Sequence, residues 1–119
     1  MFVDESREMY LKTILTLSKE LELVRSVDVA NKLGYSKPSV SRAVKNLISE
    51  GAIDVLDNGN IVLLETGLEA AETVLEKHEI LTEVLVKYLQ LDPTIAMNDA
   101  CRIEHVISDE TFDALKKLL

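Results

Sequence analysis

The sequence predicts a mainly α-helical fold that contains one β-hairpin. Six stretches carry helical periodicity or helix-capping residues, and one Asn-Gly turn joins two short β-prone runs. No apolar stretch approaches the ~20 residues that a membrane span requires. A secretory signal is not expected, because acidic residues occur within the first nine positions. With 119 residues, the chain has room for one compact domain or two small modules.

The first half of the chain predicts three helices. Apolar residues at steps of three and four predict a helix over residues 5–21. Ser26 is the expected N-cap of a short second helix, which Gly34 ends in the left-handed conformation. Ser36 is the expected N-cap of the third helix, with Pro38 in its first turn. The face that this third helix is expected to bury consists of Val40, Val44, Leu47 and Ile48.

A hairpin is predicted after Gly51, which is expected to end the third helix. The β-prone runs are residues 53–56 and 61–64, and Asn58-Gly59 between them readily supplies positive φ angles. A short helix, a glycine turn, a polar-faced helix and a hairpin form the element order of a winged helix-turn-helix, in which the hairpin is the wing. We therefore expect residues 1–65 to form a winged helix-turn-helix domain.

Three more helices are predicted in residues 66–119. Thr66, with Glu69 three residues later, is a capping box for a long helix. Ser108 is the expected cap of the last helix. Apolar faces on these helices predict a helical dimerisation domain, and the expected helix bounds are about 66–90, 92–106 and 109 onwards.

A basic island lies on the third helix, although the formal net charge of the chain is −8. Between Lys32 and Leu47 there are four basic residues and no acidic one. Affinity for a polyanion depends on where the charge lies, and an α-helix fits the major groove of double-stranded DNA. Arg42 is the best candidate for a base contact, because arginine can bond both acceptors of a guanine. The other expected DNA-binding residues are Ser36, Lys37, Pro38, Ser39, Ser41 and Lys45.

Metal-binding side chains occur at helical spacing near the end of the sequence. Cys101, Glu104 and His105 stand at i, i+3 and i+4, which places them on one face of the predicted helix. His78 interrupts an apolar stripe of the long helix, and Met9 lies among apolar neighbours in the first helix. Each residue taken alone also has a structural explanation, since a lone Cys or Met usually packs in a core. A single cysteine excludes an internal disulfide, so a reducing cytoplasm is the expected compartment.

Five stretches of the sequence match a known family. They are residues 8–14 (EMYLKTI), 36–41 (SKPSVS), 77–78 (KH), 100–106 (ACRIEHV) and 108–110 (SDE). Through them the chain resembles the diphtheria-toxin-repressor family of iron- and manganese-dependent transcriptional repressors, over essentially its whole length. The resemblance implies an iron-type repressor that binds a palindromic operator as a homodimer. It also implies a primary metal site formed by Met9, Cys101, Glu104 and His105, with His78 as a ligand of an ancillary site.

The sequence departs from the family pattern at the ancillary site. A carboxylate usually follows the histidine by four residues, and Thr82 stands there instead. Met97 occupies the position of a second histidine. Manganese-type members carry Asp and Glu where this chain has Met9 and Cys101. Many iron-type members continue into an SH3-like domain, which we expect to be absent or removed here. The wing also lacks the basic residue often found at its tip.

The donor types favour Fe(II) as the signal. Thioether, thiolate, imidazole and carboxylate form a borderline-soft set that suits Fe(II) better than Mn(II), whereas Co(II), Ni(II) and Zn(II) bind at least as well by the Irving–Williams order. Met9 belongs to the N-terminal half of the chain and the other three ligands to the C-terminal half. A shared ion would therefore fix the spacing of two recognition helices on half-sites about 34 Å apart.

Two alternatives to this interpretation stay open. The chain could be a winged-helix regulator that metal does not control, or a winged-helix protein-interaction module that does not bind DNA. An enzyme is not expected, because no oriented third group or phosphate-binding glycine loop accompanies Cys101 and His105. Neither a membrane nor a small-molecule substrate is an expected partner.

Overall fold

The computed structural model describes residues 5–119, and its elements occur in the predicted order. The mainly α-helical fold with a winged helix-turn-helix is confirmed. Backbone contacts divide the chain into two compact units, one of residues 6–72 and one built on residues 73–119. No helix among the described residues is long and apolar enough to cross a membrane. The elements are α1 (Glu5–Ser18), α2 (Ser26–Leu33), α3 (Lys37–Ser49), β1 (Ile53–Val55), β2 (Ile61–Leu63), α4 (Glu65–Leu89), α5 (Pro93–Ile103) and α6 (Asp109–Lys116).

The unit of residues 6–72 buries apolar side chains from α1, α2, α3 and β1. Leu11, Val29 and Val40 are fully buried, and Ile53 of β1 is 1% exposed. The expected buried face of α3 is confirmed for Val40, Val44 and Leu47, but Ile48 is 41% exposed, so the prediction was wrong for that residue. Helical periodicity assigns residues to a face only to within about one position, and Ile48 lies at the edge of this face.

Capping residues set the bounds of α2 and α3. Gly34 adopts φ +71° at the end of α2, and the Ser36 side chain accepts a hydrogen bond from the Ser39 N–H at 3.3 Å, as the sequence predicts. The expected N-cap of α2 was wrong by one position. Ser26 is already helical, and Arg25 is the N-cap residue; its backbone N–H donates to Asp28 Oδ2 at 2.9 Å. An aspartate at the third helical position thus accepts from the N–H of the N-cap residue, which is one of the two bonds of a capping box.

The wing is an antiparallel hairpin in which Ile53 pairs with Leu63 and Val55 with Ile61. Gly59 has φ +86° in the turn, which confirms the Asn-Gly prediction. The segment before α2 also pairs with this hairpin. Val24 N–H donates to Asn60 Oδ1 at 2.8 Å, and Ile61 N–H donates to the Val24 carbonyl at 2.7 Å.

Two helix bounds in the C-terminal half differ from expectation. α4 begins at Glu65, so Thr66 is inside the helix and is not its N-cap; its hydroxyl donates to the Gly51 carbonyl at 3.3 Å. α5 ends at Ile103 rather than near residue 106. The backbone tightens there, since Val106 N–H donates to the Ile103 carbonyl at 3.0 Å, an i to i−3 bond. This turn redirects the chain before Ser108 caps α6.

Helix α6 packs against the middle of α4, around Glu76 and Lys77, within the unit of residues 73–119. Phe112 is buried, and the ammonium groups of Lys77 and Lys116 lie 6.0 Å and 5.9 Å from the centre of its ring. Lys116 also forms an ion pair with Glu76 at 2.9 Å. Burial of Phe112 is the main contribution, because exposed ion pairs contribute little to stability.

Candidate metal centre and DNA-binding helix

A buried carboxylate between two imidazole rings is the main polar cluster of the unit of residues 73–119. The Glu104 side chain is fully buried. His78 Nδ1 on α4 lies 2.9 Å from Glu104 Oε1, the distance of a hydrogen bond that the ring N–H donates. His105 Nε2 lies 3.2 Å from Glu104 Oε2, and the His105 side chain is only 4% exposed. A carboxylate buried this deeply is costly unless positive charge or N–H donors face it, and here two rings face it.

The backbone at the end of α5 positions this cluster. Glu104 is the C-cap of α5 with helical angles (φ −55°, ψ −25°), so its side chain still follows the helical spacing from Cys101. His105 follows in the turn, where its N–H bonds the Arg102 carbonyl at 3.4 Å. The predicted helix therefore carries Cys101 and, at its cap, Glu104, whereas His105 lies just beyond it.

The donor chemistry of the cluster fits a divalent transition metal. Imidazole nitrogen and carboxylate oxygen are both donors that divalent transition metals accept, and the two ring nitrogens lie 2.9 and 3.2 Å from the Glu104 oxygens. The rings face different oxygens of that carboxylate. Within residues 5–119 no three His, Cys, Asp or Glu side chains are grouped to hold an ion as they stand. In the structure, His78 contacts one oxygen of Glu104 and His105 contacts the other.

The other two ligands predicted for the primary site lie on α5 and α1. Cys101 is half-buried near the end of α5. Met9 is half-buried on α1, in the unit of residues 6–72. The Thr82 hydroxyl donates to the His78 carbonyl at 2.8 Å, and Met97 is 50% exposed. The Thr82 hydroxyl is therefore hydrogen-bonded within its own helix, and an ancillary ligand set around His78 stays a prediction.

Sequence reasoning did not anticipate that His78 contacts Glu104. The two residues are 26 positions apart, on different helices, so no local spacing relates them. The only signal in the sequence was a polar ring within the apolar stripe of α4. Such a residue needs a buried partner, but periodicity does not identify which one.

The predicted DNA-binding residues lie along the first turns of α3. Six of the seven are exposed, and Ser39 is half-buried. The Ser36 hydroxyl bonds the Ser39 hydroxyl at 2.9 Å, and Arg42 Nη2 lies 3.4 Å from the same Ser39 oxygen. The two serines thus order the exposed side of the first turn, and the guanidinium of Arg42 lies over it. The exposed residues of the set are Ser36, Lys37, Pro38, Ser41, Arg42 and Lys45.

An aromatic pair lies between α1 and the start of α3. The rings of Tyr10 and Tyr35 meet edge to face. Burial raises the pKa of Tyr10 above its usual value of 10.0, and the nearby Tyr35 raises it further, whereas the charge of Arg42 acts to lower it. The phenol of Tyr10 is therefore neutral at physiological pH, and the pair acts as a packing contact.

Two family models match the chain, one to each half. Residues 1–58 match the iron dependent repressor N-terminal DNA binding domain, and residues 64–119 match the iron dependent repressor metal binding and dimerisation domain. The diphtheria toxin repressor of Corynebacterium diphtheriae is 33% identical over 115 residues, which cover 97% of this chain and 51% of that protein. The transcriptional regulator MntR of Escherichia coli is 35% identical over 107 residues, which cover 90% of this chain and 68% of that protein.

Solved structures agree with these sequence relationships. A manganese-dependent transcriptional repressor in complex with manganese superposes with a TM-score of 0.88 at 25% identity, covering 94% of this chain and 51% of that one. The chain spans about half the length of that protein and of the diphtheria toxin repressor. Both family models together account for nearly all of the sequence, and so the chain belongs to the family of iron-dependent repressors.

Proposed function

We propose that this protein is a metal-dependent transcriptional repressor that binds a palindromic DNA operator as a homodimer, with Fe(II) as its signal. The observation that carries the proposal is the fully buried Glu104 between His78 and His105, within residues that match a metal-binding and dimerisation domain. The proposed domains are residues 1–65 for DNA binding and 66–119 for dimerisation and metal binding. The proposed compartment is the reducing cytoplasm, and no enzymatic step is part of this function.

The proposed metal ligands come from both domains. Cys101, Glu104 and His105 would hold the ion in the dimerisation domain, and Met9 would reach it from α1 of the DNA-binding domain. His78 joins the set through its contact with Glu104. A bound cation supplies positive charge that compensates the buried carboxylate. The soft donors favour Fe(II) over Mn(II), and cellular supply would select iron over Co(II), Ni(II) and Zn(II), which such a set also binds.

The proposed DNA-reading element is α3. Its exposed serines and lysines would contact phosphates, with help from the positive N-terminal end of the helix, and Arg42 would reach a base edge. One helix of this length makes few phosphate contacts, so useful affinity requires two copies on two half-sites. Metal would favour DNA binding only if it binds the competent arrangement more tightly than the others.

A second copy of the chain is the proposed occupant of the apolar surface of the dimerisation domain. Several large apolar side chains are exposed there, among them Leu89 at 62% and Val106 at 63%. Tyr88, Leu89 and Leu118 line one apolar groove of this unit, and exposed apolar surface of this kind usually marks an interface. Its location within residues matched by a dimerisation-domain model supports a homodimer. The exposed set comprises Tyr88, Leu89, Ile95, Met97, Val106, Leu118 and Leu119.

A mobility-shift titration against genomic DNA fragments tests the proposal. Anaerobic protein with Fe(II) is expected to shift a small set of fragments at low concentration, and protein treated with chelator is expected to lose those shifts. Glu104→Gln keeps the size of the side chain and removes its charge, so it should behave as chelated protein does. Equal shifts of the same fragments with Fe(II) and after chelation would overturn control by metal.

A further inference from the structure

The wing of this protein carries no basic residue of its own. Its two strands and their turn, residues 53–63, contain Asp54 and Asp57 but neither lysine nor arginine. A wing that faces a DNA backbone with only carboxylates would be repelled by it. Building on the proposed DNA-binding function, we propose that Arg25, at the start of α2, provides the phosphate-binding cation of the wing.

The side chain of Arg25 lies across the turn of the hairpin. A Cβ atom built on Gly59 would lie 3.8 Å from Arg25 Cγ and 3.9 Å from both Cδ and Nε. These are van der Waals distances, so the stem of the arginine passes directly over the glycine. The guanidinium is thereby held at the tip of the wing, although it comes from a residue 34 positions earlier in the chain.

The backbone around Arg25 is fixed on both sides. The preceding residue, Val24, exchanges two hydrogen bonds with the hairpin, one with the Asn60 side chain and one with the Ile61 N–H. The N–H of Arg25 itself donates to Asp28 Oδ2 at 2.9 Å. An arginine whose backbone is held by such hydrogen bonds loses less conformational entropy on binding than one at a freely moving surface position.

The guanidinium of Arg25 is available to an external anion. The residue is exposed, and it forms no ion pair with any carboxylate in residues 5–119. By comparison, Arg7 in the same unit is paired with Glu50 at 2.6 Å. α3 packs against both α2, which has Arg25 as its N-cap residue, and β1 of the wing. Arginine matches phosphate oxygens with its planar fork of donors.

The salt dependence of DNA binding tests this assignment. Each phosphate contact contributes about 0.9 to the slope of log K against log salt concentration. Arg25→Gln is expected to reduce the magnitude of the slope by about 1 for each protomer and to weaken binding to operator and non-operator DNA by similar factors. Arg25→Lys keeps the charge and should retain most of the slope. Lys117→Gln, in the other unit, removes one positive charge and serves as the matched control.

The outcomes separate this inference from the proposed function. A slope for Arg25→Gln equal to that of Lys117→Gln would overturn the role of Arg25, even if the wild-type protein binds its operator with Fe(II). Failure of the wild-type protein to bind DNA under any metal condition would overturn the proposed function itself. Urea unfolding of each variant checks the fold, and Arg25→Met, which keeps the apolar stem over Gly59, replaces the glutamine variant if that one is unstable.

Discussion

The ring of Tyr10 meets the ring of Tyr35 edge to face, with centroids 5.9 Å apart and planes inclined by 65°. Tyr10 directly follows Met9 in α1, and Tyr35 directly precedes Ser36, the N-cap of α3. An aromatic contact therefore joins the helix that carries a proposed metal ligand to the residue that precedes the N-cap of the proposed DNA-reading helix.

Removal of the Tyr35 ring should destabilise the unit of residues 6–72. Tyr35→Ala is expected to lower the free energy of unfolding by about 0.5–1.5 kcal/mol, the usual contribution of an edge-to-face pair. Tyr35→Phe keeps the ring and should match the wild-type protein. Urea unfolding followed by circular dichroism measures the difference, and an alanine variant as stable as the phenylalanine variant would show that the contact contributes nothing.

Truncation of Met9 should uncouple metal binding from DNA binding. Met9→Ala removes the only proposed ligand from the DNA-binding domain, so Fe(II) should enhance operator binding at least ten times less than in the wild-type protein. Leu21→Ala, at a leucine that is 40% exposed and belongs to none of the proposed metal, DNA or dimer residues, is the control and should respond as the wild-type protein does. If Met9→Ala retained the full effect of metal in a mobility-shift titration, the proposed link through α1 would be wrong.

Loss of the His78 ring should weaken metal binding. The ring contacts Glu104 at 2.9 Å, so His78→Gln leaves that carboxylate without its partner on α4. Replacing a residue that orients or joins a metal ligand typically lowers metal affinity by about 10–100-fold. Titration with Co(II), followed by its visible absorption, measures the change. Thr82→Val, which alters only a hydroxyl bonded to the His78 carbonyl, should bind Co(II) as the wild-type protein does, and equal affinities of all three proteins would exclude His78 from the site.

A side chain at position 67 should be incompatible with the packing of α4. A Cβ atom built on Gly67 would lie 2.0 Å from the carbonyl oxygen of Ala52, which is backbone and cannot rotate away. Gly67→Ala is expected to cost about 1–3 kcal/mol of stability, as overpacking does. Gly34→Asn makes a useful comparison, because Gly34 has open space around it and φ +71°, which asparagine tolerates. Urea unfolding that found Gly67→Ala as stable as Gly34→Asn would contradict this close approach.

Local signals account for the parts of the fold that were predicted correctly. The cap of α3 at Ser36, the left-handed end of α2 at Gly34 and the hairpin turn at Gly59 each depend on residues within four positions of one another. Their physical causes are side-chain to backbone hydrogen bonds and the conformational freedom of glycine, which the sequence displays directly. The same holds for the basic, serine-rich first turns of α3, because exposed residues need no partner elsewhere in the chain.

By itself the sequence determined the order of elements, the caps of α3 and α6 and the chemical types of the proposed metal donors. Tertiary structure alone decided that His78 lies against Glu104, that Arg25 crosses Gly59 and that α5 ends before His105. These relationships join residues from different elements, or depend on where the chain must turn to pack. Their energies come from burial and non-local contacts, and such contacts exist only once the helices within each unit have packed together.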